Sequence, residues 1–312
     1  MNKSPLISII VASYNHESFV ERCLNSILEE DYPEKEIVII NDGSKDNTDK
    51  KIRAWIEQNN HKIFVNYLSR ENRGLTATLN QLIDMAKGEY LALLASDDKL
   101  INNGIRKRYE YFIRNQSKMA VIGDCNVIDN YDSVIYDSGF YDLFNSAKKN
   151  YVDDKKIRKE IISNFSVPGP VLMVKKEIYG LIGKYDENLS LEDFDFYLKA
   201  VSKNLLGFID EKVSSYRRHE NSTVATEKFV EIQKSVRKII LKNLHLFNLT
   251  EKAFLLREYL FSLVYGSYLG LKYALIKEKE SGNFFLGFLL KFLYFIKNII
   301  KMPLFLLLNL KK

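Results

Sequence analysis

Cysteine is almost missing from this chain of 312 residues: Cys23 and Cys125 are the only two, and they lack the spacing of metal ligands. That excludes a disulfide-built scaffold and a thiolate zinc centre. Cys23 falls on an apolar helical stripe with Val20, Leu24 and Ile27, so both thiols are read as reduced core residues. The first strand is followed by Ser13-Tyr14-Asn15-His16 rather than by a glycine fingerprint, and no Walker lysine motif occurs, which disfavours dinucleotide binding and ATP hydrolysis. There is no internal repeat. No uninterrupted apolar run reaches the ~20 residues of a bilayer-spanning helix. Met1-Asn2-Lys3-Ser4-Pro5 leads into a strand without the apolar stretch of a secretory signal, so the reading keeps the protein in the cytoplasm.

What is present is a hydrophobic content of 46%, enough to fill a large core. The net charge is +6, but its position matters more than its size. From Asn283 to Lys312 there are five lysines and no acid, which leaves +1 for the first 282 residues. A nucleic-acid footprint would need its cations on the folded body, so no nucleic-acid partner is expected.

Strand and helix patterns alternate through the first 125 residues. Strands are expected at Leu6–Ala12, Glu36–Ile40, Ile63–Leu68, Tyr90–Leu94 and Met119–Gly123, with helices at Ser18–Glu29, Asp46–Gln58, Thr76–Lys87 and Gly104–Asn115. Such alternation implies a parallel sheet covered on both faces. From about Asp124 to Arg218 the pattern is mixed, with strands at Val171–Val174 and Val213–Arg217 and a helix at Phe194–Ser202. After Thr226 the chain reads as helical, over Lys228–Leu244, Glu251–Lys279 and Asn283–Ile300.

Polar clusters follow the strand ends, where ligands of open α/β sheets bind. They are Ser13-Tyr14-Asn15, Asn41-Asp42-Gly43-Ser44 and Asp97-Asp98, with Glu192-Asp193 later in the chain. Alone, each also reads as a solvated turn. Hard carboxylate oxygens suit Mg²⁺ or Mn²⁺ shared with a phosphate. Of the histidines, His16, His61 and His245 are scattered and receive no metal role.

Taken in order, with Asn72-Arg73-Gly74 and Asn80 between them, these clusters resemble the inverting family 2 glycosyltransferases from about Leu6 to Ser222. The resemblance implies a GT-A-type α/β fold: a mixed nucleotide-binding sheet with helices on both faces, then a C-terminal helical extension. It implies a catalytic domain over 1–225, with a nucleotide-sugar half to about 125 and an acceptor half after it; the composition of the chain's end sets apart a helical, membrane-associating region over 226–312. Asp42 would take the base edge, Ser13 and Tyr14 would line the base pocket, Asp97 would lie near the ribose, and Asn15 and Arg73 would bind the nucleotide sugar. Asp98 would bind the divalent ion, Mn²⁺ or Mg²⁺, with His219 of Tyr216-Arg217-Arg218-His219 close to it. Ala95 stands where relatives commonly carry a further acid, and Asn41 replaces a frequent acid before Asp42. Glu192-Asp193 matches the acceptor-side acidic pair, whose second member is the catalytic base; Asp193 equally suits the N-cap of the helix beginning near Phe194.

The tail combines phenylalanine and leucine runs with Lys291, Lys297 and Lys301. It is expected to lie on an anionic membrane surface, with a bilayer span or a packing helix that forms a homo-oligomer as the competing readings. The expected activity is sugar transfer from a nucleotide-sugar donor, with UDP as default, to a hydroxyl of a lipid-linked glycan at the cytoplasmic face of the membrane. The rival readings are a sugar nucleotidyltransferase, which would need a glycine-rich basic phosphate loop near the N-terminus, and a non-catalytic membrane scaffold.

Overall fold

A computed structural model describes residues 4–219 and 226–277, together with Tyr294 and Ile296. Residues up to Glu187 with Phe196–His219 form one compact unit, and Asn188–Asp195 groups with the residues after His219 in a second.

The first unit is built on one mixed sheet. Its strands are β1 (Ile7–Ser13), β2 (Lys35–Asp42), β3 (Phe64–Arg70), β4 (Tyr90–Ala95), β5 (Lys99–Leu100), β6 (Ala120–Ile128), β7 (Val134–Tyr136), β8 (Leu172–Lys175) and β9 (Leu206–Arg217). They lie in the order β3-β2-β1-β4-β8-β6-β9-β5, with β7 against β6. β1 pairs in parallel with β2 and with β4. Ile7, Ile9, Ile10 and Val11 are fully buried, as a strand covered on both faces requires.

Four helices connect these strands: α1 (Val20–Glu29), α2 (Thr48–Asn59), α3 (Leu75–Met85) and α4 (Gly104–Arg114). α1 buries Val20, Cys23, Leu24 and Ile27, the spacing of a single helical face. Right-handed crossovers from β1 to β2 to β3, then back to β4, set α1 and α2 on one face and α3 on the other. Ile7, Ile9 and Val11 of β1 accordingly share a core with Cys23, Ile27, Ile52 and Trp55. The chain reverses its direction across the sheet between β1 and β4, and ligands of open α/β sheets bind at such a switch point.

Two expectations needed adjustment. The strand foreseen at Met119–Gly123 runs to Ile128, and it does not join β4, because antiparallel β8 lies between them. Strand β9 begins at Leu206 rather than Val213. Its Asp210-Glu211-Lys212 interrupts the apolar pattern where the pairing with β6 shifts register. Short α5 (Asp154–Ser163), capped by Asp153, and α6 (Ile178–Ile182) complete this unit with most of α7 (Glu192–Ser202).

In the second unit α8 (Thr226–Asn243) packs on α9 (Leu249–Lys277), where Arg237 Nη1 donates to the carbonyl of Ser262 at 3.1 Å. Among the described residues no helix is long and apolar enough to cross a membrane. Apart from Tyr294 and Ile296, the tail from Asn283 to Lys312 lies outside the described residues.

Candidate active site

The loops after β1 and β2 are stitched together by polar side chains. The backbone N–H of Asn15 donates to Ser44 Oγ at 2.9 Å, and that of Lys45 donates to Asn15 Oδ1 at 2.8 Å. Asn15 holds a φ of 53°, a left-handed value that asparagine tolerates. The next residue, His16, donates its backbone N–H to Thr48 Oγ1 at 2.8 Å. These bonds fix the imidazole of His16 above the end of β1.

β4 delivers Ser96, Asp97 and Asp98 beside it. Ser96 Oγ donates to Ser13 Oγ at 2.9 Å and lies 2.8 Å from His16 Nδ1. Asp97 Oδ2 is 3.1 Å from His219 Nε2, and Asp97 Oδ1 is 3.7 Å from His16 Nδ1. One ligand atom from each of His16, Asp97 and His219 falls within 4.8 Å of the others. Asp97 Oδ1 is buried and accepts no hydrogen bond, so a carboxylate oxygen faces this cluster with its lone pairs unused. Burial opposes the charge of Asp97, but the hydrogen bond to His219 and the charge of His16 outweigh it and hold its carboxyl below the usual range. Burial pushes His16 down, towards the neutral imidazole that binds metals. Two imidazoles and an unsatisfied carboxylate oxygen fit a divalent ion.

Asp98 takes a different place. Its Oδ1 accepts the backbone N–H of Arg217 at 2.8 Å. Burial, then the adjacent charge of Asp97, pushes its carboxyl well above the ordinary range. The two acids lie in the turn after β4, closed by the Asp98 N–H on the Ala95 carbonyl at 3.0 Å, and it is Asp97 that turns to the histidines. The expectation gave the metal to Asp98 and His219 and left His16 out. The cluster contains Asp97, His219 and His16.

Arg217 organises the surroundings. Its Nε donates to the carbonyl of Asp97 at 2.7 Å, and its two Nη atoms reach the Asp129 carbonyl and the Asp132 carboxylate. The guanidinium is fully buried and stacks on Phe19 at 4.9 Å from the ring centroid, while the same ring lies 5.0 Å from that of His219. Sequence reasoning passed over His16 and Arg217. The signal for Arg217 was its place at the end of β9, two residues before His219.

Asp42 is nearly buried. Its Oδ1 accepts the backbone N–H of Arg73 at 3.0 Å and its Oδ2 that of Gly74 at 2.9 Å, with Arg70 Nη1 3.0 Å from Oδ1. Gly43 has a φ of 74°, and a Cβ there would stand 2.6 Å from the backbone nitrogen of Asn72, so only glycine lets these loops meet. The Arg73 side chain is exposed and Tyr14 is 43% exposed. A polar cleft of about 620 Å³ opens between the ends of β2 and β3, lined among others by Asn41, Ser44, Asp49, Ser69, Arg70 and Asn72.

In the second unit, α7 starts at Glu192, so Asp193 sits inside the first turn rather than at the expected N-cap. Its Oδ1 accepts the N–H of Phe194 at 2.7 Å. Burial raises the carboxyls of both Glu192 and Asp193, and the charge of Asp193 raises Glu192 further. Asp195 anchors the segment by accepting from Asn243 Nδ2 at 2.7 Å, and the N–H of Ser190 donates to Ser235 Oγ at 2.9 Å.

Comparison with known proteins agrees with this architecture. The profile of glycosyl transferase family 2 matches residues 8–166, just over half of the chain. The glycosyltransferase GlyG of Streptococcus pneumoniae is 29% identical over 240 residues, covering 72% of this chain and 74% of GlyG. TuaG of Bacillus subtilis, described as a glycosyltransferase of teichuronic acid biosynthesis, is 28% identical over 222 residues, 71% of this chain and 82% of TuaG. Among solved structures, Staphylococcus aureus TarS 1-349 in complex with UDP-GlcNAc superposes with a TM-score of 0.59 at 22% identity, over 82% of this chain and 72% of that one. The mannosyltransferase PcManGT of Pyrobaculum calidifontis, in complex with GDP-Man and Mn²⁺, gives 0.62 at 17% identity, over 93% and 79%. With its strand order and this match, the chain belongs to glycosyl transferase family 2 and is a glycosyltransferase of GT-A fold.

Proposed function

We propose that the protein moves a glycosyl group from a nucleoside diphosphate sugar to a hydroxyl of a lipid-linked glycan, with inversion, in the assembly of a surface polysaccharide. The observation that carries the donor side is the cluster of His16, Asp97 and His219 around the unsatisfied Asp97 Oδ1, at the sheet's switch point. A divalent ion held there would neutralise the charge of the leaving diphosphate. Two imidazoles in the donor set favour Mn²⁺ over Mg²⁺, which prefers oxygen ligands alone.

The chain's own residues do the rest. Ser13, Tyr14, Asn15, Asp42 and Arg73 hold the nucleotide, and the polar cleft between β2 and β3 offers room beside them. Asp98 keeps Asp97 in place by anchoring its own loop to the Arg217 backbone, a supporting part rather than a ligand. Asp193 takes the proton of the acceptor hydroxyl, with Glu192 beside it on the acceptor side. A base works best when its pKa approaches the operating pH, and burial moves Asp193 in that direction. The lysines and phenylalanines of the tail bring the enzyme to the anionic inner face of the membrane.

The decisive experiment is calorimetric titration with UDP and GDP, with and without Mn²⁺. Wild type binds one of them more tightly with Mn²⁺, and Asp97→Asn removes the metal-dependent part. Metal-independent binding in the wild type would falsify the assignment. A nucleotidyltransferase is disfavoured by the first loop, where Asn15 and His16 occupy the place of a glycine-rich phosphate loop.

A further inference from the structure

The turn between β6 and β7, residues 129–133, is fixed far more firmly than a surface hairpin requires. Asp129 Oδ1 accepts the N–H groups of Tyr131 and Ser133 at 2.8 and 2.9 Å, which closes the turn by itself. Three cations from three elements then grip it. Arg22 of α1 reaches Asp132 Oδ1 at 2.9 Å and the Asn130 carbonyl at 3.0 Å. Lys99 of β5 reaches Asp132 Oδ2 at 2.9 Å, and Arg217 of β9 reaches the Asp129 carbonyl and Asp132. Arg217 also holds the Asp97 carbonyl at 2.7 Å, so one buried guanidinium sets the position of this turn relative to the metal-binding cluster. At its tip Tyr131 is 86% exposed and has no part in the core.

The carboxylates around the tip are already engaged. Asp129 serves the turn backbone, Asp132 serves three cations, and Asp137 pairs with Lys212. What the turn presents outward is an aromatic ring, followed along β7 by exposed Val134, Ile135 and Tyr136. A tyrosine ring held beside a glycosyl-transfer centre suits the C–H face of a neutral sugar ring, whereas an anionic lipid would seek the exposed Arg218, whose backbone N–H donates to the Ile128 carbonyl at 2.9 Å.

We infer that Tyr131 is the stacking platform for a neutral pyranose ring of the acceptor, mounted on the site by Arg217 and Asp132. This rests on the glycosyl-transfer reading and adds to it the class of acceptor and the residue that meets it.

The test uses the full-length protein as wild type, Tyr131→Ala and Tyr131→Trp, titrated with cellotriose, maltotriose and chitotriose in the presence of Mn²⁺ and UDP or GDP. The native Trp55 is buried, so Tyr131→Trp keeps a ring face and reports saccharide contact by its own fluorescence. At least one trisaccharide binds wild type, binds Tyr131→Ala about tenfold more weakly, and perturbs the emission of Tyr131→Trp at near wild-type affinity. Nucleotide affinity is the same in all three. The inference is overturned if Tyr131→Ala binds the trisaccharide as wild type does, or if no trisaccharide binds while the nucleotide does. It is equally overturned if binding to phosphatidylglycerol vesicles is what Tyr131→Ala loses. Failure of both nucleotides to bind wild type would instead remove the underlying donor reading.

Discussion

The Nε of Arg217 donates to the carbonyl oxygen of Asp97 at 2.7 Å across a sequence separation of 120 residues. The last strand of the catalytic sheet thereby fixes the acid that the fourth strand delivers. The bond is one of several from a single fully buried guanidinium, and only a planar fork can reach so many acceptors at once. Arg217→Lys keeps the charge and loses the fork. A destabilisation of about 3 kcal/mol is expected, measured as a lower urea midpoint with an unchanged slope.

The two adjacent acids should separate in a metal experiment. Asp97→Asn removes the Mn²⁺ dependence of nucleotide affinity. Asp98→Asn keeps it, because the amide oxygen still accepts the Arg217 N–H. Thermal shift with UDP or GDP, with and without Mn²⁺, distinguishes them, and the opposite pattern returns the metal to Asp98.

The acidic pair of α7 links activity to pH. Burial raises both carboxyls, so transfer should already decline in the mildly acidic range, above the pH at which an ordinary aspartate takes its proton. Asp193→Asn lowers turnover by roughly 10²-fold or more with donor binding intact. If Glu192→Gln is instead the inactive variant, the base is Glu192.

The same pair predicts a stability effect of opposite sign. A carboxyl whose folded pKa exceeds its unfolded value holds its proton more tightly in the native state. Its stabilising contribution is therefore complete in acid, below the unfolded pKa, and is lost as pH rises through the raised folded value. Asp193→Asn and Glu192→Gln should each raise the melting temperature at neutral pH relative to wild type, with the difference shrinking below pH 4. A melting series across pH reads this directly.

Gly43→Ala tests the contact between the loops after β2 and β3. A φ of 74° and a Cβ 2.6 Å from the Asn72 nitrogen should cost about 1–3 kcal/mol and weaken nucleotide binding through displacement of Asp42. Gly169→Ala, with open space at its Cβ, serves as the control and should leave both unchanged.

Much of this protein is written in local pattern. The apolar runs of β1, β2 and β4 are long enough to identify central strands, the Val20-Cys23-Leu24-Ile27 stripe marks α1, and the acids after β4 follow from where that run ends. Those signals depend on residues a few positions apart, and such residues share one environment whatever the rest of the chain does. Tertiary structure alone decided that β8 enters between β4 and β6, that Asp97 rather than Asp98 faces the histidines, and that His16 joins them. Each of these turns on strand order and on the direction of a side chain at a strand end. The partners that settle it lie about 80 to 120 positions away.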